Sequence, residues 1–244
     1  MKKIFQLIVF SFLIVSCNKE KKGNMIVSGT ITGLKKGTLL LQKVKDSTIV
    51  TVDSVALLNK NTFLLSDDVT SPELYYLVFD GNSSKKSISF FGEKGNITIN
   101  SSVQLFDVNA KISGSKNQEV YEKFLKIKKD FNNKNLDFIK REFEYKRDKK
   151  LDSLKWLEKD YLSFLKRNIL FTTNFAINNK DFEVAPFLAI TELNNANIKL
   201  LDTINNALTN KVKQSIYGKK LTEFIEVIKN TETKNNVELN VKKS

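Results

Sequence analysis

Cysteine is the strongest side-chain nucleophile a chain can carry, and in these 244 residues it occurs once, at Cys17. Its setting decides what it can do. Lys2 and Lys3 precede an apolar run, Ile4 to Val15, that is too short to span a bilayer as a stable helix and has the make-up of an export signal. The run closes on Ile14-Val15-Ser16-Cys17. A small residue directly before a cysteine at such a point is the pattern of a bacterial lipobox, in which the thiol is acylated and the chain is cut between Ser16 and Cys17. A sulfur held in a thioether no longer attacks disulfides or peroxides. The chemistry expected of Cys17 is therefore attachment, and several acyl chains hold firmly where one holds marginally.

Other chemistries lack their residues. Histidine is absent, so no Ser-His-Asp or Cys-His nucleophile, no imidazole base and no zinc site of the usual nitrogen–sulfur kind can be assembled. Two carboxylates in a cleft could hydrolyse a glycoside, yet the spacing of Asp53, Asp67, Asp68, Asp80, Glu93 and Asp107 singles out no pair. Asp53-Ser54 reads as a corner that bonds its own backbone, and Glu93 as the rim of a tight turn. The sequence names no catalytic residue, metal ligand or cofactor, and it leaves the binding surface unidentified.

The formal charge is +13, but of 40 basic residues only Arg141, Arg147 and Arg167 are arginines. Lysine is a point charge without the planar fork that suits phosphates and base edges. Spread over solvated faces, these charges do not point to nucleic acid; attraction to anionic lipid or polysaccharide head groups is the most they imply.

The elements that must carry any site fall into two halves. After a solvated tether, residues 17–24, short alternating strands are predicted at Ile26–Ile31, Thr38–Gln42, Ile49–Val55, Thr62–Leu65, Leu74–Phe79, Ser87–Phe91, Ile97–Asn100 and Leu105–Val108. The first two read as a hairpin across Gly33 to Gly37, and the turn clusters between the rest, Gly81-Asn82-Ser83 among them, predict an antiparallel β-sandwich-like domain over residues 25–114.

The period changes near Gly114. Ser115 with Gln118 matches a capping box directly ahead of Val120, Tyr121 and Phe124. Asn132 to Asn135 marks a candidate interruption, beyond which Leu136, Ile139, Phe143, Leu151, Leu154, Leu157, Tyr161, Phe164 and Leu165 continue a helical stripe expected to pack on neighbouring helices, with Trp156 beside it. Lys140 to Lys150 should stand in water. Asn178 to Asp181 breaks the chain, Pro186 opens a short helix through Leu193, and Ile198 to Lys213 and Tyr217 to Lys229 form a last pair. The fold class is α+β, a β domain followed by a helical domain over residues 115–230, with 231–244 a frayed tail.

These residues carry a family resemblance. Ser28-Gly29-Thr30-Ile31-Thr32-Gly33-Leu34 with Gly37, Val52-Asp53-Ser54-Val55 with Asn61-Thr62-Phe63, Phe90 to Ile97, and Ile112-Ser113-Gly114-Ser115 with Asn117-Gln118 resemble the β-rich domain of unknown function 4369 found at the start of many Bacteroidetes-type lipoproteins. The helical part, with Ala185-Pro186 and Tyr217-Gly218-Lys219-Lys220, is similar to the segment that follows it there. In such relatives a thioredoxin-like domain of the thiol-disulfide or peroxide-reductase type comes next, with a Cys-x-x-Cys pair. No second cysteine occurs here, so the resemblance implies the platform of a redox lipoprotein without its active site. The expected function is that of a non-catalytic, lipid-anchored binding or scaffolding module of the cell envelope, at the outer membrane facing the periplasm, with an envelope protein, peptide or glycan as partner. Two alternatives stay open: an accessory subunit of an envelope thiol-disulfide system whose thioredoxin-like domain is on another chain, and a cryptic carboxylate hydrolase.

Overall fold

The computed structural model describes residues 23–80 and 85–241, the last ten by backbone alone. Eight strands come first: β1 (Met25–Thr32), β2 (Lys36–Lys45), β3 (Thr48–Leu58), β4 (Thr62–Asp67), β5 (Glu73–Asp80), β6 (Lys85–Gly92), β7 (Gly95–Ser102) and β8 (Lys111–Ser113). They make two four-stranded sheets, ordered β4-β1-β7-β8 and β3-β2-β5-β6. Met25, Val27 and Ile31 of β1 face Leu39 and Leu41 of β2 and Tyr75 and Leu77 of β5 in one buried core, the period-two alternation that a sheet with one dry face requires.

Two expectations about this half are corrected. β1 and β2 are not a hairpin: they lie in different sheets, because Gly33, at φ 82°, turns the chain so that Leu34 is buried and the core is crossed rather than flanked. The hairpin is β2–β3, joined by Asp46 and Ser47 at φ 47° and 66°, a two-residue turn whose left-handed pair matches strand twist. Nor does Leu105–Val108 form a strand. Those residues make a turn that drives Phe106 into the core, while Leu105 and Val108 face solvent; Ser101 Oγ holds the turn by donating to the Phe106 carbonyl at 2.7 Å. The strand lies later, at β8. The sheets are mostly antiparallel, with β1 and β7 the parallel exception. The predicted turn Gly81-Asn82-Ser83 lies outside the described residues, as do Ser16, Cys17 and the tether before Gly23.

The helices are α1 (Lys116–Arg147), α2 (Leu151–Asn178), α3 (Val184–Glu192), α4 (Ile198–Ala207), α5 (Asn210–Lys213) and α6 (Ile216–Val241). Gly114 starts this half as predicted: at φ 96°, any Cβ would sit 2.1 Å from the Asn96 carbonyl oxygen. Ser115 accepts the Gln118 N–H at 3.0 Å and caps α1. The reciprocal half of the capping box is replaced, since Gln118 Oε1 accepts the Phe91 N–H of β6 at 2.9 Å. Three helical expectations fail. α1 runs unbroken through Asn132 to Asn135; Leu208 and Thr209 divide the penultimate helix into α4 and α5; and α6 continues to Val241 where fraying was expected.

The two halves share one seam. Phe90 and Phe91 are adjacent in β6 and point to opposite faces: Phe90 enters the sandwich core, and Phe91 packs against Tyr121, Phe187 and Tyr217 at 5.3, 5.2 and 6.2 Å between ring centroids. Tyr217 OH accepts the Leu74 N–H at 3.1 Å, and Ser71 Oγ accepts the Ile216 N–H at 3.1 Å. No described helix is long and apolar enough to cross a membrane.

Candidate interaction site

Polar side chains converge in two places and apolar ones in a third. At one end of the sandwich, the strand ends of β2, β4 and β5 bring Lys43, Asp67, Glu73 and Tyr75 together. Lys43 Nζ donates to Asp67 Oδ2 at 2.8 Å, Glu73 Oε1 at 3.0 Å and Tyr75 OH at 3.1 Å, and Tyr75 OH donates to Asp67 Oδ2 at 2.6 Å. An ammonium has three protons, and each has an acceptor. Desolvation opposes the charge on Lys43, but its bonds to Asp67 and Glu73 outweigh it and hold the amine above its ordinary range. Burial likewise pushes against ionised Asp67, yet the bonds from Lys43 and Tyr75 hold that carboxyl low; burial, followed by the bond to Asp67, pushes the Tyr75 phenol up. The geometry keeps Lys43 and Asp67 charged and Tyr75 protonated, an arrangement that ties strand ends together and leaves the lysine no lone pair for nucleophilic attack.

The second convergence is at the seam. Asn117 Nδ2 donates to Glu93 Oε2 and Glu183 Oε2, both at 2.9 Å, and Asn117 Oδ1 accepts the Val184 N–H at 3.1 Å. Glu93 also accepts the Lys116 N–H. Glu183 is 1% exposed, with Lys211 Nζ 3.6 Å away as counter-charge. Every polar atom of the Asn117 side chain is spent joining the β6–β7 turn, α1 and the start of α3, which accounts for its burial.

The third place is the hairpin of α1 and α2. A seven-residue repeat of aromatics, Phe124, Phe131, Phe138 and Tyr145 on α1 with Leu157, Phe164 and Phe171 on α2, zips the pair together, with Phe124–Phe171, Phe131–Phe164 and Phe138–Phe164 centroids at 6.1, 5.8 and 5.2 Å. This heptad seam overrides the weak helix preference of Asn132 to Asn135. At 1.5 Å per residue, α1 is about 48 Å long. α3 and α4 pack on the body end of the hairpin, whereas the core of its outer half, around Phe138, Leu157 and Phe164, is built from α1 and α2 alone.

That free end carries a groove of about 600 Å³, floored by Phe138, Leu154, Leu157 and Tyr161, flanked by Ile139 and Leu151, and rimmed by Glu142, Lys146, Lys155 and Glu158. The stripe expected to pack on other helices is here divided. Leu157 and Phe164 are buried, but Leu136, Ile139, Phe143 and Leu151 are 64, 53, 67 and 69% exposed, and Trp156, on the far side of α2, is 68% exposed. Lysine and glutamate dominate the sequence around the tip and hid it. The signal available was the mismatch between a stripe this long and a chain with few other helices to cover it.

Of the carboxylates weighed from sequence, Asp53 does bond its own backbone, accepting the Ser54 N–H at 2.8 Å, but from the middle of β3, beside a bulge opposite Leu41 and Gln42. Its other oxygen accepts the Ser66 N–H of β4 at 2.8 Å, linking the two sheets. Glu93 opens the turn between β6 and β7 as expected and is drawn into the seam. Asp67 meets Glu73, which sequence reasoning had passed over, around Lys43. Among the described residues no three His, Cys, Asp or Glu side chains are grouped to hold a metal.

Residues 25–121 match the model of a family described as a domain of unknown function, DUF4369, which spans the sandwich, its connection and the first turns of α1. No curated protein matches the chain.

Proposed function

We propose that this chain is a lipid-anchored module of the bacterial cell envelope that works by binding, and that it binds through the free end of its helical hairpin. The observation that carries this is the groove at the tip: apolar, open, rimmed by charge, and formed at the end of the helix pair whose core is built from α1 and α2 alone. Exposed apolar patches of this kind with polar rims are interaction surfaces more often than accidents of packing. The clusters at Lys43 and Asn117 support the same reading, since their polar atoms are consumed in holding the frame. The Ile14-Val15-Ser16-Cys17 pattern supplies the anchor.

The test places a photo-crosslinking residue at Leu154 in the groove and, separately, at Lys60 on the sandwich, in cells expressing the full chain. Defined adducts from position 154 and none from position 60 are expected; equal adducts from both would sink the assignment of the surface. The anchor is checked by fatty-acid labelling and detergent partitioning of wild type and Cys17→Ala, where equal label in the two proteins removes it.

A further inference from the structure

We infer that the groove at the hairpin tip is closed by the same groove on a second copy of this chain, the two hairpins overlapping tip to body as a short four-helix bundle. The inference rests on the tip being the binding surface and names its occupant. Three features of the rim carry it.

The first is balance. In a chain of net charge +13, the groove is rimmed by two acids and two bases. An acidic or basic partner would find half of this rim repulsive, while an isologous partner brings an acid for every base. The second is order. α1 ends at Arg147 and α2 begins at Leu151, so on α1 the base Lys146 is nearer the tip than the acid Glu142, and on α2 the base Lys155 is nearer the tip than the acid Glu158. Both helices thus run acid on the body side and base on the tip side. A copy laid over the groove in the opposite direction, α1 on α1 and α2 on α2, sets Lys146 of each copy over Glu142 of the other.

The third is the apolar floor, which follows the same sense. Ile139 lies body-side and Leu151 at the tip, with Leu154 between them, so the same reversal brings the two Leu154 side chains together near the two-fold axis, with Ile139 and Leu151 of the two copies to either side. Glu142 and Lys146 already form a 2.5 Å pair within α1 at 51 and 63% side-chain exposure; the second copy extends that pair into a network. The overlap covers only the last turns of each helix, below the roughly 1,200 Å² of a standard interface, so the dimer should be weak in solution, with Kd of order 10–100 μM. Confinement of both copies to one surface would raise their effective concentration and drive the pairing there.

The experiment is a charge swap on the full chain in detergent, followed by sedimentation equilibrium. Wild type should show a concentration-dependent monomer–dimer equilibrium. Glu142→Lys with Glu158→Lys makes the rim wholly basic, and Lys146→Glu with Lys155→Glu makes it wholly acidic; each should weaken self-association at least about tenfold, and an equimolar mixture of the two should associate as well as wild type. All four positions are exposed, and far-UV circular dichroism of each variant checks folding. Independently of any charge variant, a photo-crosslinker at Leu151 should yield a dimer whose cross-link maps to the α1–α2 tip of the second copy. Wild type that stays monomeric to about 1 mM, or a mixture that fails to associate while wild type does, overturns the inference. Should the groove crosslink a different protein while wild type stays monomeric, the binding surface stands and the second copy falls.

Discussion

Lys43 is held by three acceptors in a site where side-chain exposure is 17% for Lys43, 17% for Asp67 and 10% for Glu73. Removing one partner leaves the others charged and half-buried, which costs more than the pair itself contributes. Asp67→Asn should therefore destabilise by about 1–3 kcal/mol at neutral pH, read from urea unfolding. The pH dependence has two limbs. Asp67 is depressed below its ordinary 3.8 in the folded chain, so its contribution is present above that value and is lost as pH falls through the lower, folded pKa. Lys43 is raised above 10.5, so its contribution is complete below that value and is lost as pH rises through the folded pKa. Stability of the wild type should form a plateau between these limbs, and Asp67→Asn should flatten the acid limb; an unchanged acid limb in the variant would assign it to other carboxylates. Tyr217, pushed up to about 12 mainly by burial, keeps its proton across the plateau.

At the scale of elements, the hairpin depends on its heptad seam, and the seam has one flaw. Asn168 Oδ1 is buried on α2 with no hydrogen-bond partner, at a position in phase with Tyr161 and Phe175. An unpaired buried carbonyl costs about 1–3 kcal/mol, so Asn168→Leu should raise the unfolding free energy by about 1–2 kcal/mol. Denaturant titration of the variant checks it, and a fall in stability would show that the amide holds register, as polar residues do in coiled coils. Much of this level was readable beforehand. Seven of eight strands and the start of α1 follow from alternation, turn residues and the Ser115 cap, which are local signals. What escaped was set by contacts distant in sequence. Asn132 to Asn135 looks like a break until Phe131 and Phe138 are seen locked onto α2, and Leu105 with Phe106 looks like a strand until the core is seen to need one ring. The tip groove escaped because exposure is a property of the assembled chain: the spacing of Ile139, Leu151 and Leu154 is the same whether a helix covers them or not.

For the whole molecule, Phe91 is the coupling. It is fully buried between β6, α1, α3 and α6, and its neighbour Phe90 belongs to the other core, so neither half can loosen without the other feeling it. Phe91→Ala should cost about 3–5 kcal/mol, the usual range for a large aromatic left as a cavity. It should also separate one cooperative transition into two, with near-UV and far-UV circular dichroism no longer coincident. A single coincident transition in the variant would place the coupling in the Asn117 network instead.

The parallel pairing of β1 with β7 fixes an order of events as the chain is made. Met25 pairs with Gly95 and Thr32 with Ser102, so although β4 takes one edge of the first strand, its other edge must wait for the seventh, and the closing loop between them carries the whole of the second sheet. β2 and β3, with their two-residue turn, and the α1–α2 hairpin, whose helices are joined by only three residues, have no such delay. Refolding should accordingly show fast helix formation followed by a slow phase that tracks sheet closure, because long loops must be closed before distant contacts reward it. Until then the edge of β1 that faces β7 stays unpaired, and this is the interval in which the chain is most exposed to aggregation.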